Sequence, residues 1–347
     1  MTIEITNKSL LTTEQSDCLD RINSLAKLHP ELPDLLIAIG GQMVNSDLAT
    51  AIEKALSTSG GLTMRGSSEN AKKRVKVKVA DELTADEAVM RPNGQLYYTR
   101  KWGEHADTEA LRKLREISHY ALLYGSPGCG KTALVEGAFG EDLYTILGSG
   151  DTELSDFIGG YVQTPSGGFE WVDGVLVKAA EEGKVLLIDE VGLIDTKVLS
   201  AVYGLMDGRK ELVVTANPER GVVKAQPGFY VVGATNPNAP GVVLSEALLS
   251  RFTAQVEMTT DWALAKKLGV PAIITSASQN LAKKQLSGEV SWSPQFRELL
   301  AFRDLAETFG TSWAVSNLIA SAPELDRPVV AEVLTRVFGE ELTTAKI

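Results

Sequence analysis

The sequence predicts an α/β fold in which a mainly parallel sheet is covered by helices on both faces. Two observations predict this architecture. From residue 110 onward, a helical segment, a short apolar run and a glycine-containing loop recur several times, which is typical of parallel strands joined by helical crossovers. Beyond Thr260 the apolar runs stop and amphipathic segments continue to residue 347, with breaks near 271, 291–294 and 323–328.

The predicted strands are the apolar runs at 120–124, 143–147, 185–189, 230–234 and 254–257. Together with the helical segments they divide the chain into three regions. We expect a mainly helical N-terminal region with a short basic strand at 1–100, an α/β core at 101–258 and a helical domain at 259–347.

The N-terminal region is predicted from its apolar spacing. Residues 12–56 repeat apolar side chains at helical intervals, and residues 57–70 are rich in serine and glycine. Residues 74–79 then alternate Arg or Lys with Val, the period of a strand. The favoured interpretation is a half-buried edge strand protected by its lysines, and the alternative is a basic strip that contacts nucleic acid or an acidic partner.

Composition limits the classes of function. The 347 residues include 45 acidic and 34 basic side chains, a net charge of -11 that disfavours nonspecific nucleic-acid binding without excluding it. No apolar run approaches the roughly 20 residues of a membrane span, and the N-terminus does not resemble a signal peptide, so a cytoplasmic protein is expected. Two cysteines and three scattered histidines disfavour a disulfide framework and a transition-metal centre.

A phosphate-binding loop is the strongest local signal. The segment GSPGCGKT at 125–132 satisfies GxxxxGK[ST], follows the first predicted strand and opens a helix. Such a loop directs backbone N–H groups at phosphate oxygens, and its lysine contacts the β and γ phosphates. The sequence therefore predicts a P-loop NTPase that binds ATP through Gly125, Ser126, Pro127, Gly128, Cys129, Gly130, Lys131, Thr132 and Ala133.

Two adjacent carboxylates follow the predicted strand at 185–189. Asp189 at the strand's end is predicted to bind Mg²⁺ together with the hydroxyl of Thr132. Glu190, the next residue, is predicted to polarise the water that attacks the γ phosphate. One carboxylate thus serves the metal and the other the nucleophile, which makes ATP hydrolysis the expected reaction.

Two further residues extend the predicted site. Asn236 follows the fourth strand, where an amide can orient the attacking water, although an asparagine before Pro237 also suits a simple turn. Arg251 lies between a short predicted helix and the last strand. An exposed arginine at that edge can reach the nucleotide of a neighbouring subunit and stabilise the transition state.

These motifs resemble the AAA+ superfamily, in particular the branch that contains the MoxR, CbbQ/NorQ, gas-vesicle N and cobaltochelatase small-subunit ATPases. The resemblance covers roughly residues 101–341 and depends on GSPGCGKT, VLLIDE, VVGATNPN and LSEALLSRF. It implies that Asn236 is sensor 1, that Arg251 is an arginine finger acting in trans, and that a C-terminal helical lid carries a sensor 2 arginine.

The chain departs from the branch pattern at two places. Members of the branch commonly have Ser-Pro-Arg at the start of the lid helix, whereas this sequence has SPQFR at 293–297, so Arg297 is the candidate sensor 2 residue. The Asn-Arg that often follows the acidic pair is replaced by Val191 and Gly192.

The resemblance implies a hexameric ring with chaperone-like remodelling activity on a partner protein, often one with a von Willebrand A-type domain. A nucleic-acid motor or clamp that uses the basic strip, and an ATP-gated assembly switch with little turnover, are the alternatives.

Two groups of residues each have two interpretations, one as packing residues and one as functional residues. Phe169, Trp171 and Val175 suit either a ring pore or local packing, and Tyr97, Tyr98 and Trp102 suit either an adenine wall or packing on the first helix.

Overall fold

The computed structural model describes residues 88–338. The chain divides into two compact units, Met1–Val75 and Lys76–Ile347, and every described residue belongs to the second unit. The helices predicted over 12–56 and the basic strand predicted over 74–79 lie outside the described residues, so they remain predictions.

The strands of the described part, in chain order, are β1 Ala88–Met90, β2 Leu96–Tyr98, β3 Lys101–Trp102, β4 His105–Ala106, β5 Ala121–Tyr124, β6 Leu143–Leu147, β7 Gly159–Gln163, β8 Phe169–Asp173, β9 Val185–Asp189, β10 Glu211–Val213, β11 Val222–Lys224, β12 Tyr230–Thr235 and β13 Ala254–Glu257. The α-helices are α1 Asp107–Glu116, α2 Lys131–Phe139, α3 Leu154–Ile158, α4 Val175–Glu182, α5 Thr196–Met206, α6 Glu246–Leu249, α7 Trp262–Lys267, α8 Ala272–Leu286, α9 Phe296–Phe309, α10 Thr311–Ser321 and α11 Arg327–Phe338.

A five-stranded sheet forms the centre of the fold, with strand order β13-β5-β12-β9-β6 and every neighbouring pair parallel. The sequence prediction of a parallel sheet is confirmed. Three strands begin and end where the apolar runs placed them, and β5 and β12 differ by one residue at one end. All six residues of β12 are buried, as expected for a strand with helices on both faces.

Parallel pairing brings the ends of these strands together. Thr235 of β12 is opposite Tyr124 of β5, and Gly233 is opposite Ile188 of β9. The segments that leave β5, β12 and β9 therefore start at one edge of the sheet, which is where ligands bind in open α/β folds.

Two hydrophobic clusters account for the packing. The first surrounds the sheet and includes residues from Tyr97 to Met258, and the second consists of residues from the C-terminal helices, Ala265 to Leu334. The C-terminal helical region predicted from the sequence is confirmed as helical. The boundaries at 100/101 and 258/259 stay predictions.

An antiparallel hairpin, β7–β8, interrupts the α/β succession between α3 and α4. Trp171 contacts Tyr161 edge-on, with ring centroids 5.3 Å apart, and its indole N–H donates to Asp173 at 2.7 Å. Val175 packs partly against the main core, whereas Phe169 is 69% exposed. Local packing thus explains Trp171 and Val175, and it leaves the side chain of Phe169 in solvent.

Two short antiparallel pairs precede the sheet, β1–β2 and β3–β4. Tyr97 of β2 is buried, and a Cβ added at Gly137 of α2 would lie 3.0 Å from its ring. The hydroxyl of Tyr97 donates to buried Asp107, whose backbone N–H donates to the carbonyl of Arg100. Burial raises the pKa of Asp107 above its ordinary value, and burial also raises the pKa of Tyr97. Tyr97 is therefore a packing residue.

None of the helices in the described part combines the length and apolar character that a bilayer crossing requires.

Candidate active site

The loop that joins β5 to α2 has the backbone of a phosphate cradle. Gly125, Gly128 and Gly130 have φ angles of 150°, 81° and 100°, values that L side chains rarely adopt. A Cβ at Gly125 would also lie 2.2 Å from the carbonyl oxygen of Met258. The glycines of the motif are thus required by the turn itself and by the close approach of the strand next to it.

Lys131 begins α2 and is buried. Its Nζ donates to the carbonyl oxygens of Gly125 at 2.9 Å and Ser126 at 3.1 Å, and it lies 4.0 Å from the sulfur of Cys129. The ammonium group is therefore held within the turn of the loop, where a phosphate oxygen can compete with the two carbonyls. Cys129 itself is fully buried.

Thr132 and Asp189 are in direct contact. The Thr132 hydroxyl donates to Asp189 Oδ2 at 2.7 Å, and the backbone N–H of Glu190 donates to Asp189 Oδ1 at 3.1 Å. The structure thus brings together the two predicted metal ligands, which lie on different elements. Two oxygens from the protein suit Mg²⁺, which keeps several waters and binds phosphate oxygens as well. Among residues 88–338 no cluster of three or more His, Cys, Asp or Glu side chains offers a metal site made of protein alone.

Glu190 combines two unusual properties. Its backbone is in the left-handed region, with φ 50° and ψ 44°, a conformation that costs roughly 1 kcal/mol or more outside glycine. Its Oε2 is buried, and no residue in the described part of the chain donates to it. A carboxylate oxygen without a competing donor stays available to accept a proton from water.

Gly192 allows the chain to pass close to β12 just after this turn. A Cβ at Gly192 would lie 2.6 Å from Val242 and 3.0 Å from the hydroxyl of Thr235, so a larger residue would displace the segment. The hydroxyl of Thr235 is also buried without a partner among the described residues. At this position, where related proteins often have Asn-Arg, Gly192 allows the segment after Glu190 to pack closely against Val242 and Thr235.

A cavity of about 940 Å³ connects these groups. Its wall includes Lys131, Thr132, Asp189 and Glu190. Residues of β2, of the segment after it and of the C-terminal helices also line the cavity, among them Leu96, Tyr98, Arg100, Leu268, Phe296, Arg297 and Leu300. Tyr97 and Tyr98 both border this space, which is large enough for a nucleotide.

Arg297 is close to the loop. It lies in the first turn of α9, its backbone N–H donates to the carbonyl of Gly128 at 3.1 Å, and its side chain lines the cavity. The start of α9 is fixed by Gln295, which accepts from the hydroxyl of Thr260 at 2.7 Å. Arg297 comes two residues later than the arginine of the Ser-Pro-Arg pattern, and it nevertheless lines the cavity.

Asn236 and Arg251 are not among the residues that line this cavity. Asn236 follows β12 directly, and its side-chain oxygen accepts from the N–H of Asn238 at 3.3 Å, as in an Asx turn. Arg251 donates to the carbonyl of Ala247 at 2.7 Å, and its guanidinium stacks on Tyr203 with 4.1 Å between Cζ and the ring centroid. The two predicted roles remain predictions.

Arg100 is a site residue that sequence reasoning missed. Its guanidinium donates to the carbonyl of Cys129 at 2.6 Å and to that of Thr259 at 3.1 Å. It also lies over the ring of Phe296, with 5.3 Å from Cζ to the centroid. No motif marks this arginine, because its partners are backbone carbonyls and one ring from distant segments.

Comparison with known proteins supports an AAA+ ATPase domain. Residues 121–252 match the family described as "AAA domain (dynein-related subfamily)". Midasin of Giardia intestinalis is 38% identical over 151 residues, 42% of this chain and 3% of midasin. An uncharacterized protein of Staphylococcus epidermidis is 33% identical over 153 residues, 42% of this chain and 57% of that protein. A solved structure from Cytophaga hutchinsonii aligns with a TM-score of 0.35 and 20% identity, covering 64% of this chain and 79% of that one.

The matches to both relatives cover less than two thirds of the relatives' own lengths. The family match at 121–252 contains the phosphate loop, the acidic pair, Asn236 and Arg251. Nucleotide binding by an AAA+ domain is thereby supported.

Proposed function

We propose that this chain is an ATP hydrolase of the AAA+ class that works in a ring and acts on a partner protein, as in the MoxR-like branch. One observation carries the catalytic part of the proposal. The Thr132 hydroxyl contacts Asp189 at 2.7 Å while Glu190, the next residue, has a buried carboxylate oxygen without a donor in the described part of the chain. Metal-binding and water-activating groups are thus side by side at the mouth of a phosphate loop.

Each residue has a separate task in this proposal. The backbone amides of the loop and the ammonium of Lys131 bind the triphosphate and offset its charge. Thr132 and Asp189 hold Mg²⁺, which neutralises charge on the phosphate oxygens when it is bound. Glu190 accepts a proton from the attacking water, and its fixed backbone keeps the carboxylate directed.

The remaining predicted residues complete the site. Asn236, at the end of the strand between those that carry the loop and the acidic pair, orients the water. Arg297 contributes positive charge from the lid side of the cavity. Arg251 stabilises transition-state charge in the neighbouring subunit, as the resemblance implies for an arginine finger. A homo-oligomeric ring, which the resemblance implies to be a hexamer, follows from that requirement.

Adenine is the proposed base. The cavity wall includes apolar side chains such as Leu268 and Leu300, together with Tyr98. Such a surface suits a planar base. Competition between ATP and GTP for the site would test this assignment, and equal affinity would contradict it.

Turnover assays test the proposal. Purified protein with ATP and Mg²⁺ is expected to release phosphate, and Lys131→Ala and Glu190→Gln are expected not to. Absence of phosphate release from the parent protein at every concentration, together with ATP-dependent assembly, would favour the assembly switch. A large stimulation by DNA that declines with salt would favour the nucleic-acid motor.

The remodelling role needs its own experiment. A candidate partner with a von Willebrand A-type domain would be mixed with the Glu190→Gln variant in the presence of ATP and then of ADP. The partner is expected to bind the variant in the presence of ATP but not of ADP. Adding the partner to the parent protein is expected to increase ATP turnover. Equal binding in both nucleotides would contradict ATP-driven action on that partner.

A further inference from the structure

Arg100 lies where three segments of the chain meet. Its Nη2 donates to the carbonyl of Cys129 in the phosphate loop, and its Nη1 donates to the carbonyl of Thr259, just after β13. Its charged plane also covers the ring of Phe296, the first residue of α9. One side chain therefore touches the loop, the connection that follows the sheet and a C-terminal helix.

The contact with Cys129 fixes a peptide plane of the loop. In a trans peptide the carbonyl of one residue and the N–H of the next point in opposite directions. The carbonyl of Cys129 accepts from Arg100, so the N–H of Gly130 points away from Arg100. Gly130 has φ 100°, and a Cβ there would lie 2.8 Å from Nη2, so the guanidinium is packed directly against this peptide.

We infer that Arg100 is a positioning residue that directs the N–H of Gly130 toward bound phosphate. The inference rests on the proposed function, because it assigns a task within the same nucleotide site. Arg100 acts through the loop peptide. Two of its nitrogens already donate to carbonyls, and its Nε is buried without a partner in the described part of the chain. Its two donating nitrogens are thus already engaged by backbone carbonyls at the wall of the cavity.

The same contacts connect the loop to the lid. Phe296 and Thr259 contact the same guanidinium, and Arg297, the residue after Phe296, donates its N–H to the carbonyl of Gly128. Movement of α9 would therefore move Arg100 and with it the Cys129–Gly130 peptide. Phosphate affinity and lid position are coupled through this arginine.

Pyrophosphate separates this role from an effect on the nucleoside, because it carries phosphate groups without a base or sugar. The experiment measures the Kd of ADP and of pyrophosphate, with Mg²⁺, for the full-length protein and for Arg100→Met. Both affinities are expected to fall by about tenfold, the amount for one charge-assisted hydrogen bond that preorganises the site. Arg100→Lys, which reaches one carbonyl but not both, is expected to show a smaller loss of both.

Arg112→Met is the matched control. Arg112 donates to the carbonyls of Ala138 at 2.6 Å and Gly137 at 3.2 Å, at the other end of α2. It should lower the thermal midpoint and leave both Kd values unchanged. If Arg112→Met weakens the ligands as much as Arg100→Met does, the effect is general destabilisation and the inference is wrong.

Two other outcomes would also overturn it. Unchanged affinities in Arg100→Met would remove Arg100 from the phosphate site. Weaker ADP binding with unchanged pyrophosphate binding would assign Arg100 to the nucleoside. If the parent protein binds neither ligand, the proposed function fails as well, which distinguishes that failure from the failure of Arg100 alone.

Discussion

Glu190→Gln isolates the proposed proton-accepting group from nucleotide binding. The substitution replaces one carboxylate oxygen by an NH₂ group, so the side chain becomes a neutral carboxamide of nearly the same shape. The backbone hydrogen bond from Glu190 to Asp189 Oδ1 does not involve the side chain, and glutamine meets the same left-handed backbone requirement. The phosphate loop, which begins and ends in other segments, is untouched. Binding of ATP is therefore expected to persist.

The magnitude follows from the chemistry of the lost group. General-base catalysis contributes roughly 10²- to 10⁴-fold, or about 2.7 to 5.5 kcal/mol of activation free energy. Glu190 should be near the upper end of this range, because its Oε2 is buried with no donor among the described residues. The carboxylate thus has no hydrogen bond to break before it accepts a proton from water.

Phosphate release under single-turnover conditions measures the chemical step without product release. ADP titration and thermal unfolding of the same preparations report binding and folding. Glu141→Gln, a substitution on the exposed turn between α2 and β6, is the matched control and should behave as the parent. A rate constant for Glu190→Gln within about threefold of the parent would refute Glu190 as the base.

Three further predictions concern binding, assembly and stability. Lys131→Ala removes an ammonium held by the carbonyls of Gly125 and Ser126, and fluorescent-ADP titration should show at least a hundredfold weaker binding, on the order of 3 kcal/mol; affinity equal to the parent would remove the loop as the phosphate site. When Arg251→Ala is mixed into parent protein in increasing fractions, the fractional loss of ATP turnover should exceed the fraction of variant in the mixture. A loss strictly proportional to the fraction of variant would contradict action in trans. Asp107→Asn tests a pH effect: burial raises the pKa of this carboxyl in the folded state, so the folded protein binds a proton more tightly than the unfolded chain does. The contribution of Asp107 to stability is largest at pH below the ordinary value of 3.8 and declines as the pH rises through the raised pKa. The thermal midpoint of the parent minus that of Asp107→Asn should therefore fall with rising pH. A difference that stays constant with pH would contradict the prediction.

The sheet could be predicted because its three central strands, β5, β12 and β9, are buried on both faces. Apolar runs such as 185–189 and 230–234 have no polar alternation, which parallel strands between helical layers require. The phosphate loop and the acidic pair each occupy a short continuous segment with a fixed relation to a strand end. Their contact, Thr132 with Asp189, then follows from parallel pairing. The local sequence was sufficient to predict those site residues that lie in a short motif directly at the end of a strand.

Contacts between distant segments could not be predicted in this way. Arg100 bonds to carbonyls, which every residue has, so no residue type in the sequence identifies its partners. The same holds for Arg251, because no local pattern predicts that its guanidinium stacks on Tyr203 of α5. Arg297 was predicted only through resemblance. Its backbone contact with Gly128 depends on how the helices beyond the sheet pack on the loop, which no local pattern encodes.

The placement of Arg100 and Arg297 implies that nucleotide binding and folding of the C-terminal helices are linked. Gly128 and Cys129 use their carbonyls to bind Arg297 and Arg100, so the conformation of the loop depends on elements before and after the sheet. A ligand that requires this loop conformation must favour the state in which α9 is docked, because binding to one state shifts the equilibrium toward it. The reciprocal effect is equally required, since a lid held on the loop raises affinity for phosphate. In the proposed reaction, loss of the γ phosphate is therefore expected to weaken the docking of α9 on the loop, and comparing protease cleavage of the C-terminal helices in ATP and in ADP with the Glu190→Gln variant would test this; equal cleavage would contradict it.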